Sequence, residues 1–302
     1  MLTIENCNLC PRRCGVNRRI QRGFCGGGGL PRVALATLHY GEEPCLGGEK
    51  GVGAVFFSGC ALNCVYCQNY AVSHENSGYE ISVARLTEIF EELQNAGAVM
   101  LDLVTPSHFV LSVAEALQEA TRHGFTLPVI YNSGGYESID AVEFIAPLVD
   151  IFLPDFKYRY ADTARRYSCA ADYFDVAAAA VRRMVELKGR IKFASDGLMQ
   201  SGVLVRHLVL PGGRRESMAV LDWLWQNFGA DIGLSLMGQY IPIGQAKKIP
   251  PLNRRLTTFE YESVVEHAQK LGFTCGFVQE KAAATADYVP NFDGRGVLCA
   301  NY

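Results

Sequence analysis

The chain has 302 residues and a net charge of −3, so its overall charge does not indicate a nucleic acid or an acidic membrane as partner. Hydrophobic residues make up 49% and charged residues 20%, which is typical of a globular protein. No apolar run approaches the ~20 residues that span a bilayer, and the N-terminus lacks the apolar segment of a secretory signal. The sequence therefore predicts a soluble, cytoplasmic protein.

Residues 1–31 are predicted to form a cysteine-rich extension that ends at a flexible junction in "CGGGGLP". Four thiols in a short loop without a core of its own indicate a metal site that holds the loop together. These thiols belong to Cys7, Cys10, Cys14 and Cys25. Their spacing fits zinc or a second, electron-relaying [4Fe–4S] cluster, and it does not distinguish the two.

Five arginines lie between or beside these cysteines, at Arg12, Arg13, Arg18, Arg19 and Arg22. Such a run is usually a solvated face, and we interpret it so, with a partner or an acidic substrate as the alternative. The cysteines that have no close neighbour are interpreted as small buried hydrophobic residues. They are Cys45, Cys169, Cys275 and Cys299.

After the junction, short apolar segments alternate six times with segments of helical periodicity, which predicts βαβ units and a parallel sheet. The predicted strands are Gly53–Phe57, Val99–Val104, Leu127–Tyr131, Asp150–Pro154, Val203–Leu210 and Ile232–Met237. The predicted helices between and after them are Val83–Asn95, Leu111–His123, Ser138–Leu148, Tyr173–Gly189 and Glu216–Phe228. Six units form an open doubly wound sheet or a partial barrel, because a full eight-fold barrel needs about 250 residues.

The domain boundaries follow from this pattern. Residues 32–245 are predicted to form the repeating α/β domain. Residues 246–302 are predicted to add a helix at Thr258–Leu271, a last strand in "TCGFVQE" and a tail without periodicity, which lies across the barrel or is loosely held.

Three cysteines follow the first predicted strand in a C-x3-C-x2-C pattern: Cys60, Cys64 and Cys67. In α/β barrels the functional residues lie in loops at this end of the strands. One interpretation is a structural zinc site that a distant residue completes. The other is a [4Fe–4S] cluster with three cysteine ligands and one iron open to a small molecule. The spacing, with the aromatic Tyr66 before the last cysteine, favours the cluster.

The segment "CALNCVYC" resembles the cluster motif of the radical S-adenosylmethionine (SAM) enzymes. From Cys7 to about Gln245, the chain is similar to the activating enzymes of pyruvate formate-lyase, in a branch with an extra four-cysteine N-terminus. The resemblance implies a partial (β/α)6 barrel and a cluster whose fourth iron binds the amino and carboxylate groups of SAM. It also implies anaerobic cleavage of SAM to a 5′-deoxyadenosyl radical, which abstracts a hydrogen atom.

The resemblance further implies residues that contact SAM at the strand ends. Asp155 and Lys157 are two apart on an extended segment and so project to the same side, although a purely structural ion pair is an equal alternative. Arg206 within an apolar strand is expected to meet a carboxylate, that of SAM among the candidates. The other candidate contacts are Tyr66, Thr105, Asn132, Ser133 and Tyr240.

One segment departs from the pattern of the activating enzymes. They carry a Gly-Gly-Glu segment after the second strand, and here the sequence is "LVTPSH" (Leu103–His108). Thr105, Ser107 or backbone carbonyls are left to hold the SAM amino group. His108 is interpreted as a histidine that is simply hydrogen-bonded.

The leading hypothesis is an enzyme that installs a glycyl radical on a partner enzyme. It would receive electrons from a donor such as flavodoxin or ferredoxin, and the N-terminal metal loop would relay electrons or dock the partner. A radical SAM enzyme that acts on a small molecule or another peptide is the alternative. A non-catalytic iron–sulfur or zinc redox protein is the third hypothesis, and an open three-cysteine site suits it least.

Overall fold

Six parallel strands form the centre of the fold. The structure is a computed structural model that describes residues 1–278 and 290–298. Its central strands are β2 (Val52–Phe57), β4 (Leu101–Val104), β5 (Val129–Ser133), β6 (Ile151–Pro154), β8 (Met199–Leu208) and β9 (Gly233–Met237). Neighbouring strands in this series pair in parallel, with Val55 opposite Leu103 and Leu103 opposite Tyr131. The predicted strands are therefore confirmed.

Four further strands extend this sheet in the part of the chain that the structure describes. They are β1 (Arg32–His39), β3 (Tyr79–Glu80), β7 (Lys192–Phe193) and β10 (Gly276–Val278). The strand order is β10-β9-β8-β6-β5-β4-β2-β1-β3, and β7 pairs with β8. β10 is the predicted last strand, and it runs parallel to β9. β1 was not predicted; it runs antiparallel to β2 and closes the other edge together with β3.

The long helices follow the predicted positions closely. The helices are α1 (Pro44–Gly47), α2 (Tyr70–Ser73), α3 (Val83–Asn95), α4 (Val110–Arg122), α5 (Ile139–Ile145), α6 (Ala161–Ser168), α7 (Tyr173–Lys188), α8 (Arg214–Phe228) and α9 (Thr258–Leu271). Side chains cap three of the starts: Ser82 before α3, Ser138 before α5 and Thr257 before α9. Helices α1, α2 and α6 have only one or two turns and were not predicted.

The two faces of the sheet show that it is a partial barrel rather than a doubly wound sheet. Helices α3, α4, α5, α7, α8 and α9 all bury their apolar sides in one cluster on the outer face. The inner face encloses a separate cluster that contains Ala54, Ile130 and Leu153. Alternate residues of each strand supply the two clusters, as the pleat requires. This arrangement confirms the predicted partial barrel of parallel strands.

Helix α1 lies inside this barrel. Its Cys45 and Leu46 are buried in the inner cluster with Phe56, so the interpretation of Cys45 as a buried hydrophobic residue is confirmed. Two other isolated cysteines differ from that interpretation, since Cys169 is exposed after α6 and Cys275 is half-buried. Cys299 lies outside the described residues.

The cysteine-rich N-terminal region is anchored to the barrel by two of its arginines. Arg12 donates hydrogen bonds to the carbonyl oxygens of Ala61 (2.8 Å) and Cys169 (2.7 Å). Arg18 is only 2% exposed and donates to the carbonyl oxygens of Gly28 and His108. The interpretation of the arginines as a solvated face is therefore wrong for Arg12 and Arg18, although Arg13 and Arg19 are exposed.

The described part of the C-terminal tail packs on the barrel. The amide of Ala36 in β1 donates to the carbonyl oxygen of Arg295, and Arg85 of α3 donates to that of Val297. Phe292 packs against Phe56 at a ring-centroid distance of 5.4 Å. Among the described residues, no helix is long and apolar enough to cross a membrane.

Candidate active site

The three cysteines of the C-x3-C-x2-C motif lie in the loop that follows β2, at the end of the barrel where the parallel strands finish. Cys60, Cys64 and Cys67 line one cavity. Gly59 sets the start of this loop, because it has a φ of +87° and a Cβ there would lie 2.2 Å from the carbonyl oxygen of Cys25. Only glycine fits this close approach without moving the backbone.

Each of the three sulfurs accepts a hydrogen bond. Ser168 donates to Sγ of Cys64 at 2.8 Å, and Ser73 donates to Sγ of Cys67 at 3.2 Å. The amide of Leu62 donates to Sγ of Cys60 at 3.4 Å. Donors of this kind stabilise negative charge on sulfur, as the ligands of an iron–sulfur cluster require.

Burial keeps the free thiols protonated. It raises the pKa of Cys64 to about 11, and it also raises the pKa of Cys60 and of Cys67. The ammonium of Lys157 opposes this effect at all three sulfurs. A bound metal centre would displace the protons, and Lys157 would partly balance the resulting thiolate charge.

The donor set fits a [4Fe–4S] cluster with three protein ligands. The cavity beside the sulfurs has a volume of about 230 Å³. A single water needs only about 10–15 Å³ on this measure, so a small molecule has room next to the cysteines. No fourth cysteine is among the described residues that line this cavity.

The cavity brings together nearly all of the predicted contact residues. Besides the three cysteines, its wall contains Tyr66, Thr105, Asn132, Ser133, Asp155, Lys157 and Arg206. Tyr240 is the predicted residue that the structure does not bring to this wall. It is buried, and its hydroxyl donates to the carbonyl oxygen of Leu252 at 2.6 Å. Its neighbour Gln239 lines the cavity instead.

Asp155 is the centre of an ion-pair network on this wall. Its carboxylate lies 2.5 Å from Nζ of Lys157 and 3.1 Å from Nε of Arg206. Burial raises the pKa of Asp155, but the two cations outweigh burial and the pKa is lowered. Arg206 also donates to Oδ1 of Asn132, whose amide nitrogen donates to Asp102 at 3.2 Å. Arg206 thus pairs with a carboxylate, as predicted, and this carboxylate belongs to Asp155 of the protein itself.

The hydroxyl groups of Tyr66, Tyr158 and Ser168 form a buried chain that ends at the cluster motif. Tyr66 and Tyr158 are joined at 2.7 Å, and Tyr158 and Ser168 at 2.6 Å. Ser168 then donates to the sulfur of Cys64. No local sequence pattern indicates these hydrogen bonds, because Ser168 follows Cys64 by more than a hundred residues.

The segment after β4 has an unusual backbone at Thr105. This residue has a φ of +61°, a conformation that β-branched residues rarely adopt, and it lies on the cavity wall. Its amide donates to the carbonyl oxygen of Asn132 at 2.8 Å. Ser107 turns away to donate to the buried Glu137.

His108 is a structural residue, as interpreted from the sequence. Its Nε2 donates to the carbonyl oxygen of Ser58 at 2.7 Å. Burial lowers its pKa to about 3, so the ring stays neutral.

Three acidic residues near the cavity were not predicted. Glu42 and Glu43 come from the turn before α1 and line the cavity, and Asp102 lies behind Asn132 in β4. Asp102 had a signal in the sequence, since a carboxylate within the apolar segment "VMLDLV" needs a buried partner. The position of the two glutamates depends on the insertion of α1 into the barrel, and no local pattern indicates that.

The four N-terminal cysteines converge beside the first site. The side chains of Cys7 and Cys14 contact each other, and a Cβ on Gly23 would lie 3.4 Å from Sγ of Cys14 and 3.6 Å from Sγ of Cys25. Burial raises the pKa of Cys10 to about 12. Within residues 1–278 and 290–298, no three His, Cys, Asp or Glu side chains are spaced as ligands of a single metal ion, and this includes Cys60, Cys64 and Cys67. The choice between zinc and a second cluster stays a prediction.

Comparisons with known proteins agree with this description. A family model described as a 4Fe-4S single cluster domain matches residues 46–154, which include the three cysteines. This match supports a cluster in that part of the chain. An uncharacterized protein of Methanocaldococcus jannaschii is 29% identical over 280 residues, which cover 88% of this chain and 75% of that protein.

Two solved structures match part of this chain. Native anSMEcpe with bound AdoMet (SAM) and a peptide has a TM-score of 0.50 at 13% identity, over 73% of this chain and 60% of that chain. SuiB of Streptococcus suis bound to S-adenosylmethionine has a TM-score of 0.49 at 10% identity, over 73% and 48%. The chain thus spans between about half and three fifths of these proteins. The likeness to anSMEcpe shows a shared fold.

Proposed function

We propose that the protein is a radical SAM enzyme with one [4Fe–4S] cluster held by Cys60, Cys64 and Cys67. The observation that carries this proposal is that three thiols, one buried and two half-buried and each with a hydrogen-bond donor, share a cavity with a polar wall at the end of the parallel strands. When bound, the cluster supplies one electron that cleaves SAM to methionine and a 5′-deoxyadenosyl radical, which then takes a hydrogen atom from substrate.

The protein's own residues bind and orient SAM in this proposal. Lys157 and Arg206 place positive charge on the wall and suit the methionine carboxylate. Asn132, Ser133 and the backbone at Thr105 offer polar atoms to the rest of SAM. Tyr66 closes the wall next to the cysteines, and the apolar inner cluster below the cavity limits access of water to the radical.

The substrate proposed first is a glycine residue of a partner enzyme, from which the α-hydrogen is taken to leave a glycyl radical. In this proposal an electron donor such as flavodoxin or ferredoxin delivers electrons in the cytoplasm. The N-terminal cysteines hold a second cluster that relays them, and the contact between Cys25 and Cys60 supports this order. Residues 1–31, 32–245 and 246–302 are proposed as the metal-binding extension, the barrel and the C-terminal segment.

The test of the radical SAM activity is the formation of 5′-deoxyadenosine by anaerobically reconstituted and reduced protein. We expect wild type and Cys275→Ser to form it, because Cys275 lies on the approach to β10, away from the cavity. We expect Cys64→Ser to lose at least a hundredfold of the rate, since the cluster loses a ligand. Absence of the product in wild type, or equal rates in wild type and Cys64→Ser, would refute the proposal.

The test of the substrate is separate. The activated protein is mixed with candidate glycyl radical enzymes, and the electron paramagnetic resonance spectrum is recorded. The doublet of a glycyl radical supports the activating role. If 5′-deoxyadenosine forms and no partner gives the doublet, a small molecule or another peptide replaces glycine as the substrate.

A further inference from the structure

A layer of carboxylates lies at the cavity that the three cysteines line: Glu42 and Glu43 belong to its wall, and Asp102 contacts Asn132 of that wall. Glu42 and Glu43 enter from the turn between β1 and α1, and Asp102 approaches from β4. Glu43 is 7% exposed and Asp102 is fully buried. Glu42 contacts both of the other carboxylates. Acids so deeply buried are costly unless cations or hydrogen-bond donors accompany them.

The cations in this region are too few to balance the acids. Arg206 interacts with all four nearby carboxylates, which are those of Glu42, Glu43, Asp102 and Asp155. It lies 3.5 Å from Glu42 and 3.1 Å from Asp155. The second cation, Lys157, is paired with Asp155. Among the described residues that line the cavity, Lys157 and Arg206 are the basic ones besides His39, so four carboxylates face two permanent cations.

Two oxygen atoms in the layer lack any hydrogen-bond partner. They are Oε2 of Glu43 and Oδ1 of Asp102, and both are buried. An unpartnered oxygen of a buried carboxylate is unfavourable, because the water it loses on burial is not replaced by another hydrogen-bond donor. Glu43 lines the cavity and Asp102 does not, so Glu43 is the acid through which a ligand would meet the layer.

The pKa values of Asp102 and Glu42 are raised, as expected for buried carboxyl groups with too few cations beside them. Burial raises the pKa of Asp102 to about 6, and the charge of Glu43 adds to this effect. Burial also raises the pKa of Glu42 well above its ordinary value, and the charges of Asp102 and Glu43 add to that effect. A cation that enters the layer would reverse these shifts, since an opposite charge nearby favours the ionised carboxyl.

We propose that Glu43, supported by Glu42 and Asp102, binds the alkylammonium group of the substrate. This inference rests on the proposed radical SAM function and names a substrate class for its alternative form, in which a small molecule or another peptide replaces the glycine residue. An ammonium has three N–H donors and a positive charge, which match the unpartnered oxygens and the excess of carboxylates. The carbon chain of the substrate then extends from this layer toward the cysteines along the cavity.

The proposed ligand has two sources, a free amine and a lysine side chain of a peptide. Both present the same group on a flexible carbon chain. The experiment therefore uses one probe of each kind. The probes are n-butylammonium chloride and a short peptide with blocked ends and one lysine.

The test is isothermal titration calorimetry of the anaerobically reconstituted protein at about pH 8, above the raised pKa of Asp102. 1-Butanol serves as the neutral probe of similar shape, and sodium chloride matches the ionic strength. We expect at least one ammonium probe to bind tenfold or more tightly than its neutral counterpart, which for the peptide is the same peptide with norleucine at the lysine. The probe that binds more tightly identifies the source.

Variants assign the binding to the carboxylate layer. Glu43→Gln should weaken binding of the ammonium probe at least tenfold, and Asp102→Asn provides a second variant if the first does not fold. Glu49→Gln is the matched control, because Glu49 is exposed just after α1. Equal binding of the charged and neutral probes would overturn the inference. So would unchanged binding in both variants, or binding of magnesium chloride in place of the ammonium.

The two proposals fail in different ways. Formation of 5′-deoxyadenosine by the same preparation, measured in parallel, tests the radical SAM function. If the product forms and neither ammonium probe is preferred, the substrate inference is wrong and the enzyme proposal stands. If no product forms but Glu43 binds the ammonium, the site exists in a protein of another activity.

Discussion

The backbone amide of Cys60 donates a hydrogen bond to the carbonyl oxygen of Cys25 at 3.2 Å. One cysteine belongs to the N-terminal group and the other begins the motif after β2. The two groups are thus joined by a single backbone contact, although 34 residues separate them between positions 25 and 60 of the chain. In the proposed relay, this contact provides a short path for electrons between the two groups.

The first prediction concerns this contact. In Gly59→Ala, the added Cβ meets the carbonyl oxygen of Cys25 at 2.2 Å and also strains a backbone with a φ of +87°. We expect a loss of about 2–4 kcal/mol in the free energy of unfolding, because overpacking and strain add. Gly97→Ala is the control, since Gly97 has a φ of +92° and no atom within 4 Å. The free energy of unfolding is measured by denaturant titration. Equal losses for the two variants would show that the contact with Cys25 does not contribute to stability.

The second prediction concerns the metal at the N-terminus. The double variant Cys7→Ala/Cys10→Ala removes two of four ligands from the proposed relay. If the group holds a second [4Fe–4S] cluster, iron falls from about eight to about four atoms per chain while zinc does not change. Metal analysis by mass spectrometry decides this. A loss of about one zinc with constant iron would instead establish a structural zinc site.

The third prediction concerns Ser168, whose hydroxyl donates to the sulfur of Cys64 at 2.8 Å. This hydrogen bond stabilises the reduced cluster, which carries more negative charge. Ser168→Ala should therefore lower the midpoint potential, on the order of tens of millivolts. A redox titration followed by electron paramagnetic resonance measures the shift, with Ser263→Ala on the surface of α9 as the control. If Ser168→Ala and Ser263→Ala have the same midpoint potential, the hydrogen bond from Ser168 does not stabilise the reduced cluster.

The fourth prediction concerns stability in acid. His207 is buried, donates from Nδ1 to the carbonyl oxygen of Phe156 and accepts from Ser217, and burial lowers its pKa to about 4. Above about pH 6.5 the ring is neutral in both the folded and unfolded chain, so it adds no pH dependence. As the pH falls from about 6.5 to about 4, only the unfolded chain gains the proton. The folded state then loses about 3 kcal/mol.

The measurement for His207 is anaerobic denaturant unfolding at several pH values. His207→Asn should be less stable than wild type near neutral pH, but its free energy of unfolding should fall less steeply between about pH 6.5 and 4. Parallel curves for the two proteins would show that His207 does not titrate in this way.

The sequence predicted the strands and the cysteine site because both depend on local patterns. Apolar runs such as "GAVFF" mark a buried parallel strand, and the spacing of Cys60, Cys64 and Cys67 lies within eight residues. The end of a strand in this topology then locates Asn132, Asp155 and the cysteines at the same edge of the barrel. Each of these inferences needs only neighbouring residues and the βαβ rule.

The remaining parts of the site depend on long-range packing. Strand β1 belongs to no βαβ unit, because it closes the edge in the antiparallel sense. The acidic layer exists because the turn after β1 and helix α1 enter the barrel, which no periodicity indicates. Tyr240 was expected at the cavity from its place after the sixth strand, but its hydroxyl finds the carbonyl oxygen of Leu252 instead. A strand end fixes the backbone position and leaves the direction of a side chain to its neighbours.

Electron–nuclear double resonance of the reduced protein tests most directly whether SAM binds the fourth iron of a three-cysteine cluster. The sample contains SAM that is isotopically labelled at its amino nitrogen, and the same preparation with unlabelled SAM is the control. Coordination predicts a hyperfine coupling between the cluster and the label in wild type. Bound SAM without any such coupling would contradict the assignment of Cys60, Cys64 and Cys67 to a SAM-cleaving centre.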